Sequence, residues 1–348
     1  MNVRQLYVFL LLLLIGCNTS KQRVTETGSA QNISNSTTFT LAFGSCNKPE
    51  LDNQLWDDIR NTAPNVWVWG GDIIYADTEN MIKMADMYAA QDAVRGYREL
   101  KQETTIIGSW DDHDYGLNDG GIEFVKKRES QQVFLDFMGV SKDSPRRQRA
   151  GIYTQHDYQL DQGKVKVIVL DTRYFRTALT KDTETKKRNK PNAYGEGSML
   201  GAAQWQWLTK TLNESDANFN LIVSSVQFLS NEHGFECWGN FPHEVDKLKN
   251  LIAASKAKGV VVLSGDRHIS EFSKTSVADI PYPLIDFTSS GLTHAYKNFT
   301  SEPNPYRVGE VVKTESFGLV TVDMKSNTIF FKMMGNNGEV LQELEQAY

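Results

Sequence analysis

The stretch VWVWGGDIIY, residues 66–75, decides how the rest of the chain is read. Its first four residues are apolar without interruption, and a run of this kind fits a strand covered on both faces. Two glycines then let the backbone turn, and a carboxylate (Asp72) and a phenol (Tyr75) follow at once. The same order recurs elsewhere. LAFGSC (41–46) runs into Cys46, IIGSWDDHD (106–114) into Asp111, Asp112, His113 and Asp114, and VVVLSGDRH (261–268 after Val260) into Asp266 and His268. In open α/β sheets, ligands collect beyond the carboxyl ends of the strands. Residues far apart in sequence can therefore meet if each sits at such an end.

Working outward, strands are expected at 38–43, 66–70, 104–108, 165–170, 219–225, 259–263 and 282–287. A late pair, 317–323 and 328–333, joined by MKSN, reads as an antiparallel hairpin. Helical spacing places Leu55, Trp56 and Ile59 on one face of residues 53–62, and Val133, Phe134, Phe137 and Met138 on one face of 129–139. Val245, Leu248, Leu251 and Ile252 do the same within 243–259. Strands alternating with helices imply α/β architecture. The polar stretch 177–200 is expected to be a surface insertion, and residues 39–348 to form one domain.

The chain has 348 residues, 37 basic and 43 acidic, for a net charge of −6. No basic block suggests nucleic-acid binding, and the acidic balance argues against it. Phosphate substrates stay open, because bound metal ions reverse a local field. At the N-terminus, MNVRQLYVFLLLLLIGC pairs a basic start (Arg4) with an apolar run, Leu6 to Ile15, too short to span a bilayer comfortably. That is the anatomy of a signal peptide (1–16), and Leu14-Ile15-Gly16-Cys17 resembles a bacterial lipobox. Lipid on Cys17 would anchor the protein to a membrane rather than thread it through one. The plainer alternative is an ordinary secretory signal with an incidental cysteine. Residues 17–38 are Ser-, Thr- and Asn-rich and are expected to be a flexible tether. An exported lipoprotein of the outer membrane, on its periplasmic or cell-surface side, is the expected location.

Each candidate site residue has an ordinary explanation beside the chemical one. Asp72 alone could be a helix cap, but Tyr75 three residues later lets both oxygens reach one ion. The acidic WDDHD cluster could be solvated charge. It follows an apolar strand and Trp110, however, and buried like charges repel unless a cation lies among them. His268 could be a satisfied core histidine, but Asp266, two residues before it, faces the same way on an extended segment. Cys46 and Cys237 could pair in a disulfide, as exported thiols often do; ligation by Cys46 requires an unbridged thiolate.

Taken together, GSC (44–46), GGDIIY (70–75), WDDHDYGLND (110–119), LDTRYFR (170–176), SGDRH (264–268) and TSSGLTH (288–294) resemble the PhoD-like alkaline phosphatases, a branch of the metallophosphoesterase superfamily. The resemblance covers nearly the whole mature chain. It implies a four-layer αββα sandwich and hydrolysis of phosphomonoesters or phosphodiesters with Fe3+ and Ca2+, other divalent metals being alternatives. By the same resemblance, Cys46, Tyr75 and His268 would hold iron, Asp72 would bridge, and Asp112 and Asp266 would hold the calcium side. His113 would be the acid for the leaving oxygen or stand behind the ligands, and Arg173 would touch phosphate, with a structural ion pair as its alternative. Asp111, Asn118 and His294 are further candidates for metal or substrate contact. The expected reaction is in-line hydrolysis with a nucleophile supplied at the metals and no phosphoenzyme. Longer family members carry an additional β-domain before the catalytic one, and a domain starting at Phe39 leaves no room for it.

The expected partners are small-molecule phosphate esters and the membrane, and the expected state is a monomer. Three rivals stand beside this reading. One is a dedicated phosphodiesterase with phospholipase D-like activity, another a non-catalytic metal- or ligand-binding surface lipoprotein, the third a disulfide-stabilised protein without metal.

Overall fold

Residues 30–33 and 36–348 are described by the structure, a computed structural model. The expected leader, Cys17 and the tether as far as residue 29 lie outside them. A two-residue strand, β1 (Gln31–Asn32), precedes β2 (Thr38–Gly44). Then come α1 (Trp56–Asn61), β3 (Val66–Gly70), α2 (Met81–Ala93), α3 (Arg95–Glu103) and β4 (Thr105–Ser109). The short α4 (Asp112–Tyr115) and α5 (Lys127–Phe137) lead to the hairpin β5 (Thr154–Leu160) and β6 (Gly163–Val169). The excursion 177–200 carries only β7 (Thr180–Lys181) and β8 (Asn189–Lys190). After it follow α6 (Gly201–Asn213), β9 (Phe219–Val223), α7 (Pro242–Ala254) and β10 (Val260–Ser264). Next are β11 (Ser270–Thr275), β12 (Leu284–Ser289) and β13 (Arg307–Val312), and the chain closes with β14 (Phe317–Asp323), β15 (Thr328–Met334) and β16 (Val340–Ala347).

Two sheets pack face to face. One runs β1-β5-β6-β9-β10-β12-β11-β13 and the other β16-β15-β14-β2-β3-β4. Within them β6, β9, β10 and β12 are mutually parallel, and so are β2, β3 and β4. These two parallel groups carry the donor-bearing segments at their carboxyl ends.

Period-two alternation explains the layers. On β3, Val66 and Val68 enter the core between the sheets, while Trp67 and Trp69 point to the helices outside. On β10, Val261 and Leu263 face the other sheet, and Val260 and Val262 face α6 and α7. The helices answer with matching stripes: Trp56, Ile59, Met84, Tyr88, Tyr97, Leu100 and Phe134 on one outer face, Trp205, Leu208, Leu248 and Ile252 on the other. The result is the αββα sandwich, with strands buried on both faces.

The expected strands are present with ends shifted by up to two residues. Several elements carried too weak a pattern to be expected. β5 (TQHDYQL) buries Thr154, His156, Tyr158 and Leu160 in strict alternation, but two of those four are not apolar by type. β16 (VLQELEQA) has helix-forming composition, and pairing along the whole of β15 overrides it. Part of the expected tether is also docked. Gln31 and Asn32 pair with Tyr158 and Gln159 of β5 in parallel, and the Ile33 N–H donates to the Gln159 carbonyl at 2.8 Å. Both Cys46 and Cys237 are buried and free, so they form no disulfide. Among the described residues, no helix is long and apolar enough to cross a membrane.

Candidate metal centre

The turns after β2, β3, β4 and β10 converge on one point. Three sets of side chains offer ligand atoms within 4.8 Å of one another: Cys46 with Asp72 and His268; Asp72 with Asp112 and His113; and Asp72 with Asp111, Asp112 and Asp266. Asp72 belongs to all three. Cys46 Sγ lies 3.5 Å from Asp72 Oδ2 and 3.0 Å from Ser290 Oγ. The Tyr75 hydroxyl donates to Asp72 Oδ2 at 3.3 Å and lies 3.2 Å from His268 Nε2.

The backbone here is strained. Cys46 (φ 57°), Asp72 (φ 51°), Asp266 (φ 70°) and His268 (φ 54°) all occupy the left-handed region. For a residue with a Cβ this conformation costs about 1–2 kcal/mol, and it persists only where the surroundings over-determine it. Asp114 supplies much of that restraint. Its carboxylate accepts from the N–H groups of Asp72 (3.3 Å), Ile73 (3.2 Å) and Asp111 (2.6 Å). Ser290 Oγ accepts from the His268 N–H at 2.7 Å. Gly71 (φ 100°) passes so close to the next strand's turn that an added Cβ would stand 2.5 Å from Asp111 Cβ.

The charges of the side chains require compensation. Burial, and then the negative charges of Cys46 and Asp112, push the Asp72 carboxyl well above its usual range. Burial and Asp112 likewise raise Asp266 to about 7. At Asp112 burial acts upward too, but Arg173, His113 and the N–H groups of Asp119 and His113 outweigh it and hold the carboxyl low. Burial also opposes the Cys46 thiolate, yet His268 and the hydrogen bonds around the sulfur win and bring the thiol down to about 6. Asp111 Oδ2 is buried with no hydrogen-bond partner. A buried carboxylate oxygen without a partner, set among like charges, is what a cation would satisfy. Thiolate, phenolate and imidazole on one side suit a transition metal, and carboxylates on the other suit a hard cation. The residues therefore fit a two-metal site, with Cys46, Tyr75 and His268 at one end, Asp111, Asp112 and Asp266 at the other, and Asp72 between.

A family model described as PhoD-like phosphatase matches residues 86–327, most of the chain. The chain belongs to the PhoD-like phosphatase family. It is 24% identical over 284 residues to alkaline phosphatase D of Bacillus subtilis (strain 168), an alignment covering 68% of this chain and 48% of that protein. The chain thus spans about half the length of this curated relative. A solved structure of PhoD superposes with a TM-score of 0.70 at 18% identity, covering 89% of this chain and 68% of the other. GAP50, the anchor in the inner membrane complex of Plasmodium, gives 0.57 at 13% identity over 89% of each chain. A dimetal phosphatase from Danio rerio gives 0.52 at 13% identity, covering 89% of this chain and 99% of that one. The last three establish a shared metallophosphoesterase-like fold. Because that fold also serves a protein described as an anchor, the side chains at the strand ends carry the functional information.

Cys46, Asp72, Tyr75, Asp111, Asp112, His113, Asp266 and His268 come together. Arg173 is engaged by carboxylates. It is fully buried, with Nε 2.5 Å from Asp111 Oδ1 and Nη1 2.5 Å from Glu236, while Arg176 Nε reaches the other Glu236 oxygen at 2.8 Å. The ion pair expected as its alternative role is present, and it neutralises and aims Asp111. Asn118 is a positioning group, donating to Asp112 Oδ2 at 3.1 Å and accepting from Arg188 at 3.0 Å. His294 packs beside the centre, its ring 4.6 Å from that of His268 and 5.0 Å from Tyr75. The sequence reading passed over Asp77, whose Oδ2 lies 2.8 Å from His113 Nδ1, as well as Ser225, Glu236 and Ser290. Ser290 lay in the TSSGLTH motif already noted; Asp77 sits in a polar loop with no distinguishing pattern.

Proposed function

We propose that the chain is a metal-dependent phosphate-ester hydrolase whose two cations share Asp72, an iron-type ion on the Cys46, Tyr75 and His268 side and a calcium-type ion on the Asp111, Asp112 and Asp266 side. The observation that carries this is Asp72's membership of all three donor sets. Bound there, such ions supply Lewis acidity toward phosphoryl oxygens and a nucleophile at near-neutral pH.

The protein's own groups do the rest. Asp77 accepts from His113 Nδ1–H at 2.8 Å, which fixes the imidazole tautomer. Burial works against protonation of His113, but Asp77 and Asp112 outweigh it and raise the imidazole above its ordinary value. A protonated His113 is suited to hand a proton to the departing ester oxygen. Asn118 and the Asp119 N–H hold Asp112 Oδ2 at 3.1 and 2.6 Å. Arg173 and Ser225 hold Asp111 Oδ1. A fixed arrangement of this kind avoids reorganisation as charge develops.

The test is metal analysis of the purified protein together with mono- and diesterase assays before and after chelation. Phosphate release that disappears on chelation and returns with iron and calcium is expected. Tight metal content with no hydrolysis of either ester would instead identify a binding protein. We further propose anchoring through lipid on Cys17, with the catalytic domain held outside the cytoplasm. Incorporation of labelled palmitate that is abolished in Cys17→Ser is the expected result.

A further inference from the structure

Lys48 lies two residues beyond Cys46 and is half-buried. Its N–H donates to Thr293 Oγ1 at 2.9 Å, tying the turn after β2 to the loop after β12. Its ammonium stands 4.6 Å from the centre of the Tyr75 ring. This is the ring whose hydroxyl reaches Asp72 and His268. His113 packs on the same ring at 4.1 Å and His294 at 5.0 Å. Beside it, His294 Nε2 is buried without a hydrogen-bond partner. Among the described residues Lys48 makes no ion pair; its ammonium lies over that ring and its charge acts on the neighbouring His294.

The charges around the centre are unequally spent. Arg173 is committed to Asp111 and Glu236, and Arg267 to Glu302 at 2.7 Å. Lys48 is uncommitted. A phosphate monoester, or free phosphate, brings close to two negative charges at neutral pH, whereas a diester brings one. The second charge arrives beside a cluster already rich in carboxylates, so its acceptance depends on positive groups at the rim. A hydrogen bond from an ammonium to such an oxygen is charge-assisted and about twice as strong as a neutral one.

We propose that Lys48 is a specificity-determining residue, contacting a non-bridging oxygen of the bound phosphoryl group and favouring dianionic monoesters and free phosphate over monoanionic diesters. This rests on the phosphate-ester reading above. The Tyr75 ring holds the ammonium, and Thr293 fixes the backbone from which the side chain springs.

The test compares the metal-loaded wild type with Lys48→Gln and Lys48→Arg, after metal content and melting temperature have been matched. For Lys48→Gln, kcat/KM on an aryl phosphate monoester should fall about 10–100-fold, as expected for a lost hydrogen bond to a charged group. On the corresponding diester it should change by less than about threefold. Calorimetric affinity for inorganic phosphate should weaken alongside the monoester activity, and Lys48→Arg should restore both. Equal losses on the two esters, unchanged phosphate affinity, or loss of bound metal in Lys48→Gln would overturn the proposal. A wild type that hydrolyses neither ester but binds phosphate through Lys48 would sink the hydrolase reading and leave this contact standing. A wild type that neither hydrolyses nor binds phosphate overturns both.

Discussion

Replacing Asp72 by asparagine probes the shared donor with least disturbance to the fold. The residue sits at φ 51°, a region asparagine tolerates and alanine enters at a cost of about 1–2 kcal/mol. Asp72→Asn therefore isolates the charge. A unit charge about 4 Å from another contributes on the order of 4 kcal/mol at an effective dielectric of about 20. Because all three donor sets include Asp72, both cations lose it together. About 4 kcal/mol corresponds to roughly a thousandfold weaker retention of each ion. Metal analysis after gel filtration should find both ions depleted in parallel, with turnover of an aryl phosphate reduced by a similar factor. The metal-free variant should melt no lower than the metal-free parent. Burial and the neighbouring charges already disfavour ionised Asp72, and an amide removes that repulsion. Selective loss of one metal would refute the sharing of Asp72, and full retention of both with normal turnover would refute its ligation altogether.

Gly71→Ala should destabilise the protein by about 2–4 kcal/mol in urea titrations, since its Cβ would stand 2.5 Å from Asp111 Cβ at φ 100°; metal content should fall with it. Arg173→Met should cost about 3–5 kcal/mol of stability, because it leaves Asp111 buried without its guanidinium and Glu236 with Arg176 alone. A stable variant altered only in KM would point to phosphate contact instead. Burial, and secondarily Arg146, lower the imidazole of His156 to about 3. The unfolded chain then binds a proton that the folded one refuses, and stability falls as pH drops from about 6.5 toward 3, by up to about 1.4 kcal/mol per pH unit. His156→Gln should flatten that slope in denaturant titrations at pH 7, 6, 5 and 4, and parallel curves for parent and variant would show that His156 is not held neutral.

The donor-bearing strand ends could be read without coordinates because both signals are local. Uninterrupted apolar runs such as Val66–Trp69 identify strands covered on both sides, and the chemistry follows directly after each run. Arg173 was different. An arginine past a buried strand has the same local appearance whether it meets substrate or a carboxylate. Its partner Glu236 lies 63 residues further on, and only the fold brings the two together. Asp77 was missed for a related reason, since its partner His113 lies 36 residues away and nothing in its own loop points there. β16 shows the limit from the other side: its composition favours a helix, and the hydrogen bonds offered by the edge of β15 are worth more.

What the amino-acid order settles here is periodic and short-range: which runs become strands, which faces they bury, and which reactive groups stand at their ends. What it leaves open is how those ends meet. Cys46 Sγ and the Asp266 carbonyl approach to 3.5 Å across 220 positions, and Asp72 becomes common to three donor sets because two sheets pack face to face with their parallel strands ending on one side. That coincidence comes from the packing of the whole core, to which both sheets contribute and for which no single segment suffices.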